Sequence, residues 1–167
     1  MSTLLLLSGV PASGKSYFGN WLEQERGFLH LDIEKDGRLQ QINLQQSWST
    51  CFQTRECDDF VVRLKELGRP VVQNWGFPTA YLHVIESLRE SGVDVWWFDA
   101  DHSVARRSFL RRDDISVQAF DKQVTDIARD WHHIRSVFGR NILKTLQDDG
   151  TYLSPNEICD HIFTKTT

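Results

Sequence analysis

The sequence predicts an α/β protein built on a parallel sheet, and three observations carry that expectation. Short apolar runs alternate with segments of helical period along the whole chain. The runs Leu4-Leu5-Leu6-Leu7 and Val93-Asp94-Val95-Trp96-Trp97-Phe98-Asp99 are close to continuous, as strands buried on both faces require. No repeat, low-complexity tract or Pro/Gly/Ser-rich linker breaks the 167 residues, a length suited to one domain over 1–167 with a substantial core.

Each element has its own signal. The four leucines form the first strand, and Ser16-Tyr17-Phe18-Gly19-Asn20-Trp21-Leu22 opens the first helix. Phe28-Leu29-His30-Leu31-Asp32 reads as a second strand ending on an acid. From Asp36 to Thr54 the chain is rich in Gln and shows no clear period, with room for a short helix. Glu56 to Leu67 places Phe60, Val61, Leu64 and Leu67 at helical spacing before the stop signal Gly68. Arg69 to Asn74 is the third strand, Ala80 to Glu90 a helix ended by Gly92, and Val93 to Asp99 the fourth strand. Helical segments follow from Ser103 to Arg111 and from Val117 to Phe138, then a fifth strand, Ile142 to Leu146. Ser154-Pro155-Asn156-Glu157 is a capping box with proline in the first turn, so it starts the last helix. Five strands with intervening helices make a small doubly wound sheet, whose ligands belong at the carboxyl ends of the strands.

Bulk composition is that of a globular protein, 40% hydrophobic and 25% charged. The leading apolar run is only four leucines long without a basic flank, so neither a signal peptide nor a membrane span is expected. Cys51, Cys57 and Cys159 lack paired spacing and fit buried reduced thiols in a cytoplasmic protein. The net charge of −4 gives no global attraction to nucleic acid or to a membrane surface, while leaving room for a local basic site. Nothing in the sequence addresses oligomeric state.

Function enters at residues 9 to 16, where Gly9-Val10-Pro11-Ala12-Ser13-Gly14-Lys15-Ser16 completes the pattern G-x-x-x-x-G-K-[ST] between a strand and a helix. The glycines let backbone N–H groups wrap a β-phosphate at the helix N-terminus. Lys15 reaches the β/γ oxygens, and the Ser16 hydroxyl ligates a metal. The expected cofactors are ATP and Mg²⁺, with Gly9, Ala12, Ser13, Gly14, Lys15, Ser16 and Tyr17 touching the nucleotide. No N-K-x-D guanine-reading motif occurs, so ATP is preferred to GTP.

Asp32 ends the second strand on the edge that carries the loop. There it serves either as the base for an acceptor hydroxyl or, with Ser16, as a magnesium-supporting acid. Glu34 shares its side in an extended segment, and Asp36 is a reserve candidate. After the fourth strand, Arg106-Arg107-Ser108-Phe109-Leu110-Arg111-Arg112 is strongly basic. Arg107 and Arg111, four apart on a helix, present two guanidiniums to the charge of phosphoryl transfer. Arg129 and Arg135 stand in reserve on the next helix. Trp96 and Trp97 are core residues, whereas Trp75 either lines an acceptor pocket or plugs the loop from beneath, and Trp48 is similarly ambiguous. His132 and His133 lack metal-ligand spacing.

The phosphate loop, Leu31-Asp32, the Asn74-Trp75-Gly76-Phe77 exit and Arg107-x-x-x-Arg111 after Phe98-Asp99 together resemble the P-loop kinase-like group. This group includes gluconate and shikimate kinases, chloramphenicol phosphotransferase, polynucleotide kinase and zeta-type toxins. The resemblance implies a three-layer fold with a five-stranded parallel sheet in the order 2-3-1-4-5 and a helical lid at about 103–130. It makes Asp32 the base, and Arg107 and Arg111 the lid arginines. It also implies transfer of the γ-phosphate to a hydroxyl of a small-molecule acceptor, and residues 36–56 with the Trp75 region are expected to shape the acceptor pocket. Gln73 and Asn74 end the third strand where many such proteins carry an acid, which shifts metal support onto Ser16 and Asp32. Two other readings remain open: a kinase of nucleic-acid ends, which the acidic balance disfavours, and a non-transferring nucleotide switch or ATPase.

Overall fold

The computed structural model describes residues 3–34, 37–76, 79–111 and 116–164. Its strands are β1 (Leu4–Gly9), β2 (Leu29–Asp32), β3 (Val71–Asn74), β4 (Asp94–Ala100) and β5 (Ile142–Leu146). They pair in parallel in the order 2-3-1-4-5, as expected. The helices are α1 (Lys15–Arg26), α2 (Arg38–Gln41), α3 (Gln45–Thr54), α4 (Asp58–Glu66), α5 (Leu82–Glu90), α6 (His102–Phe109), α7 (Val117–Phe138) and α8 (Pro155–Phe163).

The sheet is covered on both faces, which is why its central strand is a bare run of leucines. Leu5 and Leu7 face Phe18 and Leu22 of α1 and Ile158 and Ile162 of α8. Leu4 and Leu6 belong to the larger cluster on the opposite face, with Trp48, Phe60, Leu64, Ile85, Ile127 and Ile134 from α3, α4, α5 and α7. Successive side chains of a strand point to opposite faces, so burial on both sides leaves no position for a polar alternation. Trp96 and Trp97 divide between these layers and are both core residues. All three cysteines are buried and free. Among the described residues, no helix is long and apolar enough to cross a membrane.

Two elements depart from the sequence expectation. The Gln-rich stretch holds two helices, α2 and α3, whose buried stripe is Leu39, Leu44, Ser47, Trp48 and Cys51. From Leu44 onward the spacing is helical, but Ser47 and Cys51 occupy core positions while Gln40, Gln41, Gln45 and Gln46 face water. The period was therefore masked by composition. The basic helix after β4 is shorter than expected: its buried stripe Val104, Ala105, Phe109 gives out, and Leu110 is the C-cap. Arg111 lies in the turn beyond, so it does not share an α-helical face with Arg107. The start of α8 is as expected, with Ser154 and Glu157 exchanging both bonds of the capping box.

Candidate active site

The phosphate loop leaves β1 at Gly9, which runs so close to β4 that a Cβ there would lie 2.0 Å from the Phe98 carbonyl oxygen. Its φ of +138° is also one that side chains disfavour, so only glycine fits. The loop is held from several sides. Val10 N–H donates to the Phe98 carbonyl at 3.0 Å. The Thr145 hydroxyl donates to the Ser13 carbonyl at 2.7 Å, and the Tyr152 hydroxyl to the Ala12 carbonyl at 2.7 Å. Helix α1 starts without a side-chain cap and without an acid in its first turn. Its first N–H groups have no intrahelical partner, and its dipole favours an anion at that end. The Lys15 ammonium folds back over the loop, donating to the carbonyls of Val10 (2.9 Å) and Gly9 (3.2 Å).

Asp32 reaches the loop from the end of β2. Its Oδ2 accepts from the Ser16 hydroxyl at 3.5 Å, and its Oδ1 from the backbone N–H of Glu34 at 3.3 Å. The second bond closes a turn, because β2 stops at Asp32. Glu34 is thus not on an extended segment with Asp32, as the i, i+2 reading expected. Its carboxylate stands instead beside Gly76, where a Cβ would meet Oε2 at 3.4 Å and Nε2 of Gln123 at 3.7 Å. Gln123, from α7, donates to the Gly76 carbonyl at 3.4 Å. Glu34, two residues along the chain from Asp32, and Gln123 thus meet at Gly76. Asn74, paired in register with Asp32, donates from Nδ2 to the Ser16 hydroxyl at 3.3 Å.

The structure brings together Asp32, Lys15, Ser16 and the loop glycines. Of the lid arginines, Arg107 is exposed on α6 and Arg111 is exposed in the turn beyond it. Arg106 pairs with Asp121 of α7 at 3.0 Å, an exposed contact between the two helices. Asp101 caps α6 by accepting from the Ser103 hydroxyl and from the Ser103 and Val104 N–H groups, and these bonds, the hydroxyl first, hold its carboxyl below the usual range. Arg129 is engaged with Asp126 and Asp130. Asp36 and Arg112 lie outside the described residues. Trp75 is a plug, 5% exposed and set edge-on against Trp48 at 5.0 Å and Phe52 at 5.7 Å, in a cluster completed by Tyr81.

The solved structures most informative about this arrangement are two shikimate kinases. The enzyme from Acinetobacter baumannii, in complex with shikimate, matches with a TM-score of 0.62 and 17% identity over 99% of this chain and 96% of that one. The enzyme from Bacteroides thetaiotaomicron matches with a TM-score of 0.51 and 11% identity over 85% of each chain. The chain has a P-loop kinase-like fold. No protein-family model and no curated protein matches the sequence.

Within the P-loop kinase-like fold, one feature had no sequence signal. An apolar cleft of about 430 Å³ opens beside the loop, lined by Gly14, Tyr17, Tyr152, Leu153, Ser154 and Pro155. Tyr152 arrives there because an antiparallel bridge with Leu146 folds the segment after β5 back on itself. The site also offers hard oxygen donors, the Ser16 hydroxyl and the Asp32 carboxylate, which suit Mg²⁺. Mg²⁺ keeps several waters and phosphate oxygens and needs only one or two protein ligands, so this donor set fits the ion.

Proposed function

We propose that this chain is an ATP-dependent phosphotransferase that moves the γ-phosphate to a hydroxyl of a small-molecule acceptor. The observation that carries the reading is the placement of Asp32. It stands at the carboxyl end of β2, 3.5 Å from the hydroxyl that completes the phosphate loop.

Each residue has a task on this reading. The amides at the start of α1 and the loop hold the β-phosphate, and Lys15 leaves the loop carbonyls for the β/γ oxygens. Ser16 and Asp32 would hold Mg²⁺, which would supply positive charge to offset that of the phosphates. Asp32 accepts the acceptor hydroxyl's proton as that oxygen attacks phosphorus, and ADP leaves with the charge of the broken P–O bond. Arg107 and Arg111 supply guanidiniums from the lid, and the cleft between Tyr17 and Tyr152 takes the base by stacking.

Acceptor-dependent ADP formation tests the reading, using a panel of sugars, nucleosides, amino-alcohols and oligonucleotide ends. Turnover is expected to rise with at least one hydroxyl compound. Asp32→Asn is expected to leave ADP binding close to normal while cutting transfer about 10²-fold or more. Hydrolysis that no acceptor stimulates would identify a nucleotide switch or ATPase instead.

A further inference from the structure

A second line of hydrogen bonds reaches Ser16 from behind. His30 lies in β2 on the face toward α1 and is 3% exposed. Its Nδ1 faces Oδ1 of the Asn20 side chain in α1 at 2.8 Å, and its Nε2 is hydrogen-bonded to Oδ1 of Asn74 in β3. The other end of the same Asn74 amide, Nδ2, donates to the Ser16 hydroxyl at 3.3 Å. That bond fixes the direction at this end: an amide donating to Ser16 turns its oxygen to the ring, so Nε2 donates to it. Helix α1 is fitted to the ring as well. A Cβ on Gly19 would come within 2.5 Å of Nε2, so the helix approaches to this depth only with glycine there.

We propose that His30 is a positioning residue for the Ser16 hydroxyl, acting through Asn74, and that this buried relay sets how a divalent cation binds at the phosphate loop. The inference rests on the Mg·nucleotide reading of the loop and adds a residue from outside its motif. The Ser16 oxygen has four tetrahedral directions. One is its bond to carbon, one its proton toward Asp32, and one a lone pair taking the Asn74 hydrogen. A single lone pair is left, and its direction is fixed. Without the ring, the Asn74 amide can turn end for end and offer oxygen to Ser16. The serine proton would then point at Asn74 and not at Asp32, and the lone pairs would leave the alignment a cation needs. Preorganisation of this kind removes the ordering cost from the binding step.

The test is calorimetry of ADP with and without Mg²⁺, alongside thermal unfolding, for the wild type, His30→Leu and His30→Gln. The leucine variant is expected to bind ADP alone like the wild type. The added affinity conferred by Mg²⁺ should fall about 10- to 100-fold, the usual cost of losing a residue that orients a metal ligand. Glutamine, which donates from its amide, should restore most of that increment. An unchanged increment in His30→Leu, or equal loss in His30→Gln, makes the ring packing only and overturns the proposal. Should His30→Leu not fold, Gly19→Ala displaces the ring with the histidine still present, and an intact Mg²⁺ increment there is equally fatal. Absence of ADP binding in the wild type under both conditions overturns the nucleotide reading itself, and with it this one.

Discussion

Gln73 sits in mid-sheet, in register with Leu6 of β1 and Leu31 of β2, and is fully buried. Neither end of its amide has a hydrogen-bond partner among the described residues. A buried polar group without partners costs about 1–3 kcal/mol, whereas an apolar side chain of similar size carries no such penalty. Gln73→Leu is therefore expected to raise the free energy of unfolding by about 1–2 kcal/mol in urea titrations. A loss of stability would show that the amide is satisfied in solution. Its neighbour Asn74 is the opposite case, with both amide ends engaged, by His30 and Ser16. Both amides were visible in the sequence as the residues standing where an acid is common. Which of the two faces the phosphate loop was not visible, because adjacent strand residues point to opposite faces and only the register decides. Trp75 was undecided for a similar reason: its partners Trp48 and Phe52 come from a helix whose period was hidden by Ser47 and Cys51.

At the scale of elements, α7 governs the outer wall of the site. It reaches Gly76 through Gln123 and the 3₁₀ turn Thr79–Tyr81 through Asp130, which accepts from the Thr79 hydroxyl. The Arg129 guanidinium first, and then Thr79, push the Asp130 carboxyl down to about 2, below its ordinary 3.8. A carboxyl depressed in the folded state adds stability that is fully present above its unfolded value and fades as pH falls through the folded one. The difference in urea midpoint between the wild type and Asp130→Asn should thus be constant above about pH 5 and shrink between about pH 4 and pH 2. A difference that does not change over that acid range would mean the carboxylate does not hold α7 to the turn. The positions of α7 and of all five strands were legible, since long buried stripes and strand runs state their own period. The end of α6 was not, because charged residues continue past Phe109 without a change in helix propensity, and loss of core contact stops the helix there.

At the scale of the molecule, the phosphate loop is a local motif held by remote parts. Its eight residues are readable from sequence, yet the groups that brace it lie on β4, β5 and the segment before α8. Thr145 is 132 residues from Ser13 and Tyr152 is 140 residues from Ala12. No spacing rule connects such pairs; they meet because β4 and β5 stack beside β1 and the bridge at Leu146 folds Tyr152 back over the loop. Hydroxyl-to-carbonyl bonds of this kind contribute about 0.5–1.5 kcal/mol each, equivalent to a few-fold to about tenfold in an equilibrium constant. Tyr152→Phe keeps the ring against Gly14 and removes only the bond to Ala12, and Thr145→Val removes the bond to Ser13 together with a longer one to the Asp99 carbonyl. Both are expected to weaken ADP binding by about three- to tenfold in calorimetry. The double variant should multiply the two effects if the braces act independently, and fall short of the product if they restrain one concerted loop motion. Unaltered ADP affinity in both single variants would mean that the loop holds its shape unaided, as a property of its own eight residues and the start of α1.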